Sequence, residues 1–596
     1  MKLFPKPKKI IPKDTELQLG KFSFIWPENV DYRLPAAAEK LIQFTKSFNG
    51  ETKVYVSYAD NDCDDLAFNA YQGYTLEINV DSISITADSA HGAFYGLITL
   101  QQILKNGKTV QCTEISDTPD MIHRGFYHDV SRGRVPKLET LKKLVDTLAY
   151  AKCNSLQIYF EHTYDFEEYR DFNAHLGYMT ADEVKELDKY CYDNFIELIP
   201  SLATIGHMYS ILQSQKYLHL CEYEIYTPFG HIWKERMLHH SIDVSNPESI
   251  KLIKSLIDQL GEVFHSRYFN LCGDETFDLA KGRNKGKDAG ECYITFANKI
   301  IEHIKSKNKI AMIWGDILNK NPQNLSRLPD DVIVLNWTYT PDKEGRDFEG
   351  YKRRMNALIE NGKKQLVAPA TWTYNRLYSE FKNSVPNIIN VIDEAHANGI
   401  NGVLNTNWGD TGHLANLENS FYTLCLGAEK AWNTESFEFY EFSENVSALV
   451  FDAEEDVYPV LYEIENNQSI IMSVWFAVFH FVDFVRALGI KQIETIYTED
   501  EVLGRIASLE EVISKISAMK MREDLKQKSL QAARGNLAFY RLTLANIQNV
   551  NTDSAFEEIQ NWFEKFKADW LKENKPGELY IFELFLKEME VYLSIK

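Results

Sequence analysis

Between Ile122 and about Thr406 the chain repeats one unit: a short apolar run, a polar loop and, in most cases, a stretch with helical spacing. The apolar runs are Gly125 to Val130, Ser155 to Phe160, Ile196 to Pro200, Phe269 to Gly273, Ile310 to Trp314, Val332 to Asn336, Gln365 to Ala368 and Gly402 to Thr406. Helical stretches such as Leu138 to Tyr150, Ala181 to Asp193 and Pro247 to Phe264 lie between them. Apolar strands alternating mainly with helices in this way are what a (β/α)8 TIM barrel needs. That fold builds its pocket at the C-terminal ends of the strands, so polar residues just past each strand are the candidates for chemistry. Here they are Asp129 and Arg132, Glu161 and His162, His207, Asp274 and Glu275, Trp314 and Asp316, Trp337, Trp372 and Tyr374, and Trp408 and Asp410. Packing alone would hardly load nearly every strand end with tryptophan, histidine and carboxylate.

The alternation stops on both sides. Upstream, Leu76, Ile78 and Val80 alternate, as do Ile83 and Ile85, which reads as a strand pair joined by a tight turn. Ala93, Leu97, Leu100 and Leu104 then share one helical face. After about 430 the apolar spacing is helical through 469–490, 509–518 and 527–548, and aromatic residues recur at helical spacing over 560–594. The expected architecture is α/β: a small α/β domain (1–118), the barrel (119–425) and a mostly helical C-terminal domain (426–596).

Charge narrows the partner. Acidic residues number 86 and basic residues 64, an excess of 22, which argues against a nucleic-acid or anionic-membrane partner and suits a neutral ligand. The cysteines are scattered with no CxxC pair, the pattern of buried thiols in a reducing, cytoplasmic compartment. The run Ile470 to Val482 is shorter than the roughly 20 residues a bilayer needs, and reads as a buried helix. No HExxH or His-x-His cluster appears, so neither a metal nor a cofactor is expected.

The stretch RYFNLCGDETFDLAKGR, residues 267–283, carries the sharpest chemical signal. Adjacent strand residues point to opposite faces, so Asp274 and Glu275 share a pocket only if the backbone turns, which Gly273 permits. Two close carboxylates resist ionising together, so one is expected to keep a proton near neutral pH. A protonated acid beside an ionised one suits glycoside cleavage.

Taken in order, several motifs resemble the β-N-acetylhexosaminidases of glycoside hydrolase family 20 over roughly residues 15–415. They are HRGFYHDVSR at 123–132, the strand ending in Glu161, IGH at 205–207, CGDE at 272–275 and the late tryptophans. The resemblance implies a retaining, substrate-assisted reaction in which the sugar's own 2-acetamido oxygen attacks the anomeric carbon. Glu275 would be the general acid and then the base, and Asp274 would orient the acetamido N–H. Arg132 would grip hydroxyls at the far side of the sugar, its alternative reading being a barrel ion pair with Asp129; Glu161 would contact a hydroxyl or support one that does, and His207 would tune the acid pair. Trp337, Trp372 and Trp408 would enclose the acetamido group, Tyr374 would donate to its carbonyl, and Asp410 would accept from outer hydroxyls. The implied partner is a small glycan with a terminal β-N-acetylhexosamine, and a homodimer stays open. Arg124 and Trp314 lie inside strands and read as structural, and Cys272 as a buried thiol.

The sequence departs from the family pattern in two places. His162 follows Glu161 where a second acid is usual, and Cys272 replaces the first of two glycines, with a long loop after Glu275. Two other readings stay open: a barrel hydrolase using Glu161 and Glu275 as separated carboxylates, and a catalytically silent sugar-binding barrel.

Overall fold

The computed structural model describes residues 1–596 except 62–64, 106, 171–175, 224–238, 411, 469–496 and 596. At its centre eight parallel strands close into a barrel: His123–Asp129, Ser155–Phe160, Glu197–Leu202, Tyr268–Asn270, Ile310–Trp314, Ile333–Trp337, Lys364–Ala368 and Gly402–Asn407. The eighth strand pairs with the first in continuous register from Gly402 opposite His123 to Asn407 opposite His128, which closes the ring. These strands are apolar because both faces are covered, one by the barrel interior and one by helices. Helix starts follow local chemistry. Thr180 forms a reciprocal capping box with Glu183, and Asn246 caps a helix whose first residue is Pro247.

The expected strands are all present: Ser155–Phe160 and Ile310–Trp314 coincide with their expected ranges, and the ends of the others shift by at most three residues. The fourth is the exception that matters, because it stops at Asn270 rather than running to Gly273.

The N-terminal domain is a six-stranded sheet in the order Lys9–Gln18, Thr109–Asp117, Tyr74–Ile78, Ser82–Ala87, Glu51–Tyr58 and Lys21–Ile25. Tyr74–Ile78 and Ser82–Ala87 form the expected antiparallel pair, and the helix Ala90–Leu104 begins at Ser89, whose hydroxyl accepts from the His91 and Gly92 N–H groups. Asp117 fastens this domain to the barrel. It pairs with Lys152 at 3.1 Å, both side chains fully buried, and accepts from Trp432 Nε1 at 2.8 Å. Trp432 ends the helix Phe421–Trp432, which packs on the first barrel strand and spans the expected boundary at 425.

The C-terminal region contains the helices Glu499–Ala518, Glu523–Ile547, Asp553–Glu573 and Leu579–Ile595. The expected helical stretch 469–490, with its run Ile470 to Val482, lies outside the described residues. Among the described residues no helix is long and apolar enough to cross a membrane. The region reaches the mouth of the barrel through a short antiparallel pair, Asn574–Lys575 against Val135–Pro136. There the Arg134 guanidinium lies 4.3 Å from the Trp570 ring and donates to the His413 and Leu414 carbonyls.

Candidate active site

The acid pair owes its placement to a strained backbone. Cys272, Gly273 and Glu275 have φ of 57°, 80° and 51°, all in the left-handed region. A non-glycine residue there costs on the order of 1–3 kcal/mol, and such positions cluster where function needs them. His207 at 55° and Trp372 at 55° adopt the same conformation. The turn is stabilised by the Asn270 side chain, which accepts the Cys272 N–H at 2.9 Å, and by Asp316, which accepts the Glu275 N–H at 3.1 Å. The expected turn at Gly273 therefore exists and begins one residue earlier. The Cys272 side chain is buried, 3.1 Å from the Ser201 hydroxyl, and burial pushes its thiol well up, away from nucleophilic chemistry.

His207 stands between the two carboxylates, its Nε2 3.4 Å from Asp274 and 3.4 Å from Glu275. Arg132 lies 3.2 Å from the ring's Nδ1, and a guanidinium only donates, so that contact needs a lone pair on Nδ1 and the ring proton on Nε2. The carboxylates pull toward a fully protonated ring: burial lowers the His207 pKa, but Asp274 and Glu275 overcome it and raise it to about 10. Both arguments leave a proton on Nε2, facing the pair. Burial alone would raise the Glu275 carboxyl, yet the His207 ring, in ion-pair contact at 3.4 Å, brings it down to about 2. This corrects the sequence expectation, because His207 relieves the repulsion that would have raised a member of the pair. The carboxyl pushed up is Asp316, to about 7, by burial and then by Asp274.

His207, Asp274 and Glu275 are also the group whose ligand-type atoms, among the described residues, all lie within 4.8 Å of one another. With Nε2 carrying a proton, that ring nitrogen offers the carboxylates a donor and has no lone pair for a cation. Behind it, His240 Nε2 lies 2.8 Å from the Glu275 carbonyl oxygen.

Across the mouth, Arg132 gathers the acids of the first, second and eighth strand ends. It contacts Glu161 at 3.1 Å, Asp410 at 3.2 Å and Asp129 at 3.5 Å. Glu161 also accepts from the Tyr159 hydroxyl at 3.1 Å. Asp129 is fully buried, and burial, offset in part by Arg132, raises it to about 6. Asp410 is half exposed.

Aromatic rings form the wall between these poles. Trp408 packs on Tyr127 at 4.6 Å and on Tyr159 at 5.5 Å, with fully buried Trp314 behind it at 5.7 Å. Its Nε1 donates to the Tyr339 hydroxyl at 2.6 Å. Tyr339 in turn stacks on Trp337 at 5.0 Å and approaches Tyr374 at 6.4 Å, while Trp372 lies 5.2 Å from Tyr374. An imidazole between two carboxylates, a guanidinium among carboxylates and a ring-lined wall suit an uncharged, hydroxyl-rich ligand.

The family model of the glycosyl hydrolase family 20 catalytic domain matches residues 122–435, and the model of that family's domain 2 matches residues 1–118. The chain belongs to glycosyl hydrolase family 20. It is 22% identical over 448 residues to β-hexosaminidase subunit A1 of Dictyostelium discoideum, covering 71% of this chain and 80% of that one. A Flavobacterium johnsoniae chitobiase structure superposes with a TM-score of 0.62 at 18% identity, over 94% of this chain and 95% of that one. A mutant Streptomyces plicatus β-hexosaminidase, in complex with GlcNAc, gives a TM-score of 0.59 at 17% identity, over 75% of this chain and 94% of that one. At such identities the superpositions establish the fold.

In this family 20 glycoside hydrolase the residues singled out from sequence all lie at the C-terminal mouth. Asp274, Glu275 and His207 make one cluster, and Arg132, Glu161 and Asp410 another. Trp337 and Trp408 join through Tyr339, and Trp372 and Tyr374 reach the same wall through Tyr374. Tyr339, His240 and the hydrogen-bonding role of Asp316 were missed. Tyr339 sits two residues past Trp337 in NWTYT, a signal that could have been read. His240 had none, because it reaches the pair from a loop between the third and fourth strands.

Proposed function

We propose that this glycoside hydrolase removes terminal β-linked N-acetylhexosamine with retention, using the sugar's acetamido oxygen as nucleophile. One observation carries the reading. Every carboxylate opposite the acid pair, Asp129, Glu161 and Asp410, is already engaged by Arg132, so among the described residues that wall offers no unengaged nucleophile. Adjacent carboxylates beside one imidazole are placed instead to serve two atoms of one substrate group and its leaving oxygen. The rival with Glu161 as nucleophile requires that residue to leave both Arg132 and Tyr159.

In this reaction Glu275 gives a proton to the glycosidic oxygen as the bond from that oxygen to C1 breaks. The acetamido oxygen bonds to C1, and the positive charge spreads over the resulting oxazolinium ring. The Asp274 carboxylate accepts the ring N–H and stabilises that charge. Water then attacks C1 as the bond from C1 to the acetamido oxygen breaks and the acetamide is restored; the water gives its proton to Glu275, and the sugar departs in its original β configuration. The Glu275 proton comes from His207 Nε2. Entry of the acetamide takes up Asp274 and dries Glu275, and both changes weaken the ion pair that keeps the proton on the ring.

A panel of aryl β-glycosides with and without the 2-acetamido group tests the proposal. Turnover restricted to the acetamido sugars, with strong inhibition by a thiazoline mimic of the bound ring, is the expected result. Equal hydrolysis of plain glucosides would overturn it.

A further inference from the structure

Beside Glu275 a cavity of about 810 Å³ opens between the loops after the fifth and sixth strands and the helix Arg346–Glu360. Its near wall includes Glu275, Phe277, Trp337 and Tyr339, and its far wall includes Lys320, Arg346, Arg353 and Arg354. The position in the ring is informative. Arg132 and its acids sit on the first, second and eighth strands, and the proton donor sits on the fourth, so a sugar held by Arg132 releases its leaving group over the fourth to sixth strands.

Cations gathered in one cavity are not the background of a chain with a net charge of −22. Arg346 and Arg353 are two helical turns apart and so share a face. Between them stands Gly350. A Cβ there would lie 3.6 Å from the Arg354 guanidinium and 3.7 Å from that of Arg353, so the two guanidinium groups converge where the missing side chain leaves room. Arg354 is fixed by donating to the Trp337 carbonyl at 3.1 Å. Among the described residues no carboxylate comes within 4.0 Å of Lys320, Arg346 or Arg353, although Asp316 and Asp347 share the cavity. A second feature points to a ligand. Asn336 lines the cavity at 1% exposure and its Oδ1 has no partner, while both amide atoms of Asn319 are buried without one. Buried polar atoms of this kind normally have partners.

We propose that this cavity is a leaving-group subsite for a sugar bearing a carboxylate or sulfate, with Arg346 and Arg353 reading the anion and Asn336 and Asn319 the hydroxyls. The inference rests on the glycosidase reading above. Guanidinium groups bind such oxyanions by paired, charge-assisted hydrogen bonds, which a neutral sugar cannot return.

The test uses N-acetylglucosaminyl-β-disaccharides that differ only at C6 of the reducing sugar: glucose, glucuronic acid and glucose 6-sulfate. At low salt kcat/KM should be about tenfold or more higher for at least one acidic disaccharide than for the neutral one, and the stronger of the two identifies the oxyanion. The ratio should fall toward one at high salt and in Arg346→Gln/Arg353→Gln, exposed positions whose replacement leaves the fold intact. A wild-type ratio near one, or a ratio unchanged in the double variant, overturns the subsite. Hydrolysis of 4-nitrophenyl N-acetylglucosaminide separates the two claims: its absence removes the reaction, whereas its presence without acidic preference removes only the subsite.

Discussion

Glu578, from the C-terminal region, accepts the Gly133 N–H at 2.8 Å and returns its own backbone N–H to the Gly133 carbonyl at 2.8 Å. Gly133 follows Arg132 directly, so a residue more than 400 positions away clamps the peptide that aims the guanidinium. The contact is tight. Gly577 has φ of 55°, and a Cβ there would lie 2.2 Å from the Gly133 oxygen. The helical region therefore acts on the site as a brace on the loop after the first strand.

Glu578→Ala removes a buried hydrogen bond to a carboxylate, worth about 1.5–3 kcal/mol. We expect KM to rise roughly tenfold with a smaller change in kcat, because in the proposed reaction Arg132 holds the sugar without touching the reacting atoms. Gly577→Ala should give the same pattern by displacing the backbone without removing any charge. Steady-state kinetics with an aryl N-acetylglucosaminide check both. Unchanged KM in both variants would show that the brace does not reach Arg132.

Replacing Glu275 by Gln keeps the shape and removes the transferable proton. Cleavage of substrates with poor leaving groups should fall by about 10²–10⁴, while substrates with excellent leaving groups retain far more of their rate. Asp274→Asn should slow both classes, because ring closure needs the orienting anion whatever departs. Full activity of Glu275→Gln on a poor leaving group would remove the role assigned to Glu275.

The barrel and the acid pair were legible because both leave local marks. Buried parallel strands are apolar throughout, and a glycine before two acids announces a turn. What escaped notice depends on distance in sequence. The protonation of the pair could not be read from Asp274 and Glu275 alone, because it is decided by His207, which lies nearly 70 residues upstream yet 3.4 Å from each in space. Arg132 was read with two alternative partners, a sugar and Asp129, and the structure adds Glu161 and Asp410 to the same guanidinium. The brace at Glu578 has no sequence signature, since a Gly-Glu pair after a helix looks like any other chain reversal.

Tyr339 is the residue the aromatic pattern left out, and it accepts the Trp408 indole N–H at 2.6 Å. Tyr339→Phe preserves the ring against Trp337 and strands that N–H in a dry wall, a loss of about 1–3 kcal/mol. A lowered thermal midpoint and weaker binding of the thiazoline mimic are expected, with Trp408 fluorescence reporting the change. No effect on either would mean that the indole N–H finds another acceptor.

The most diagnostic variant is His207→Asn, because the pH dependence has opposite signs for the two partners. The His207 pKa is raised from 6.5 to about 10, so its stabilising contribution is complete below 6.5 and fades as the pH climbs through 10. The Glu275 pKa is lowered from 4.5 to about 2, so its contribution is complete above 4.5 and fades as the pH falls through 2. The difference in thermal midpoint between wild type and variant should therefore be largest in the overlap, about pH 5 to 6, and should shrink toward pH 10. Activity follows the same proton. In the wild type the His207 and Glu275 unit keeps it to about pH 10, whereas in the variant Glu275 holds it alone and loses it at far lower pH. The alkaline limb of kcat/KM for a poor leaving group should move down by several units in His207→Asn and stay in place for an excellent one. Coincident alkaline limbs in the two proteins would show that the imidazole does not store the proton that Glu275 delivers.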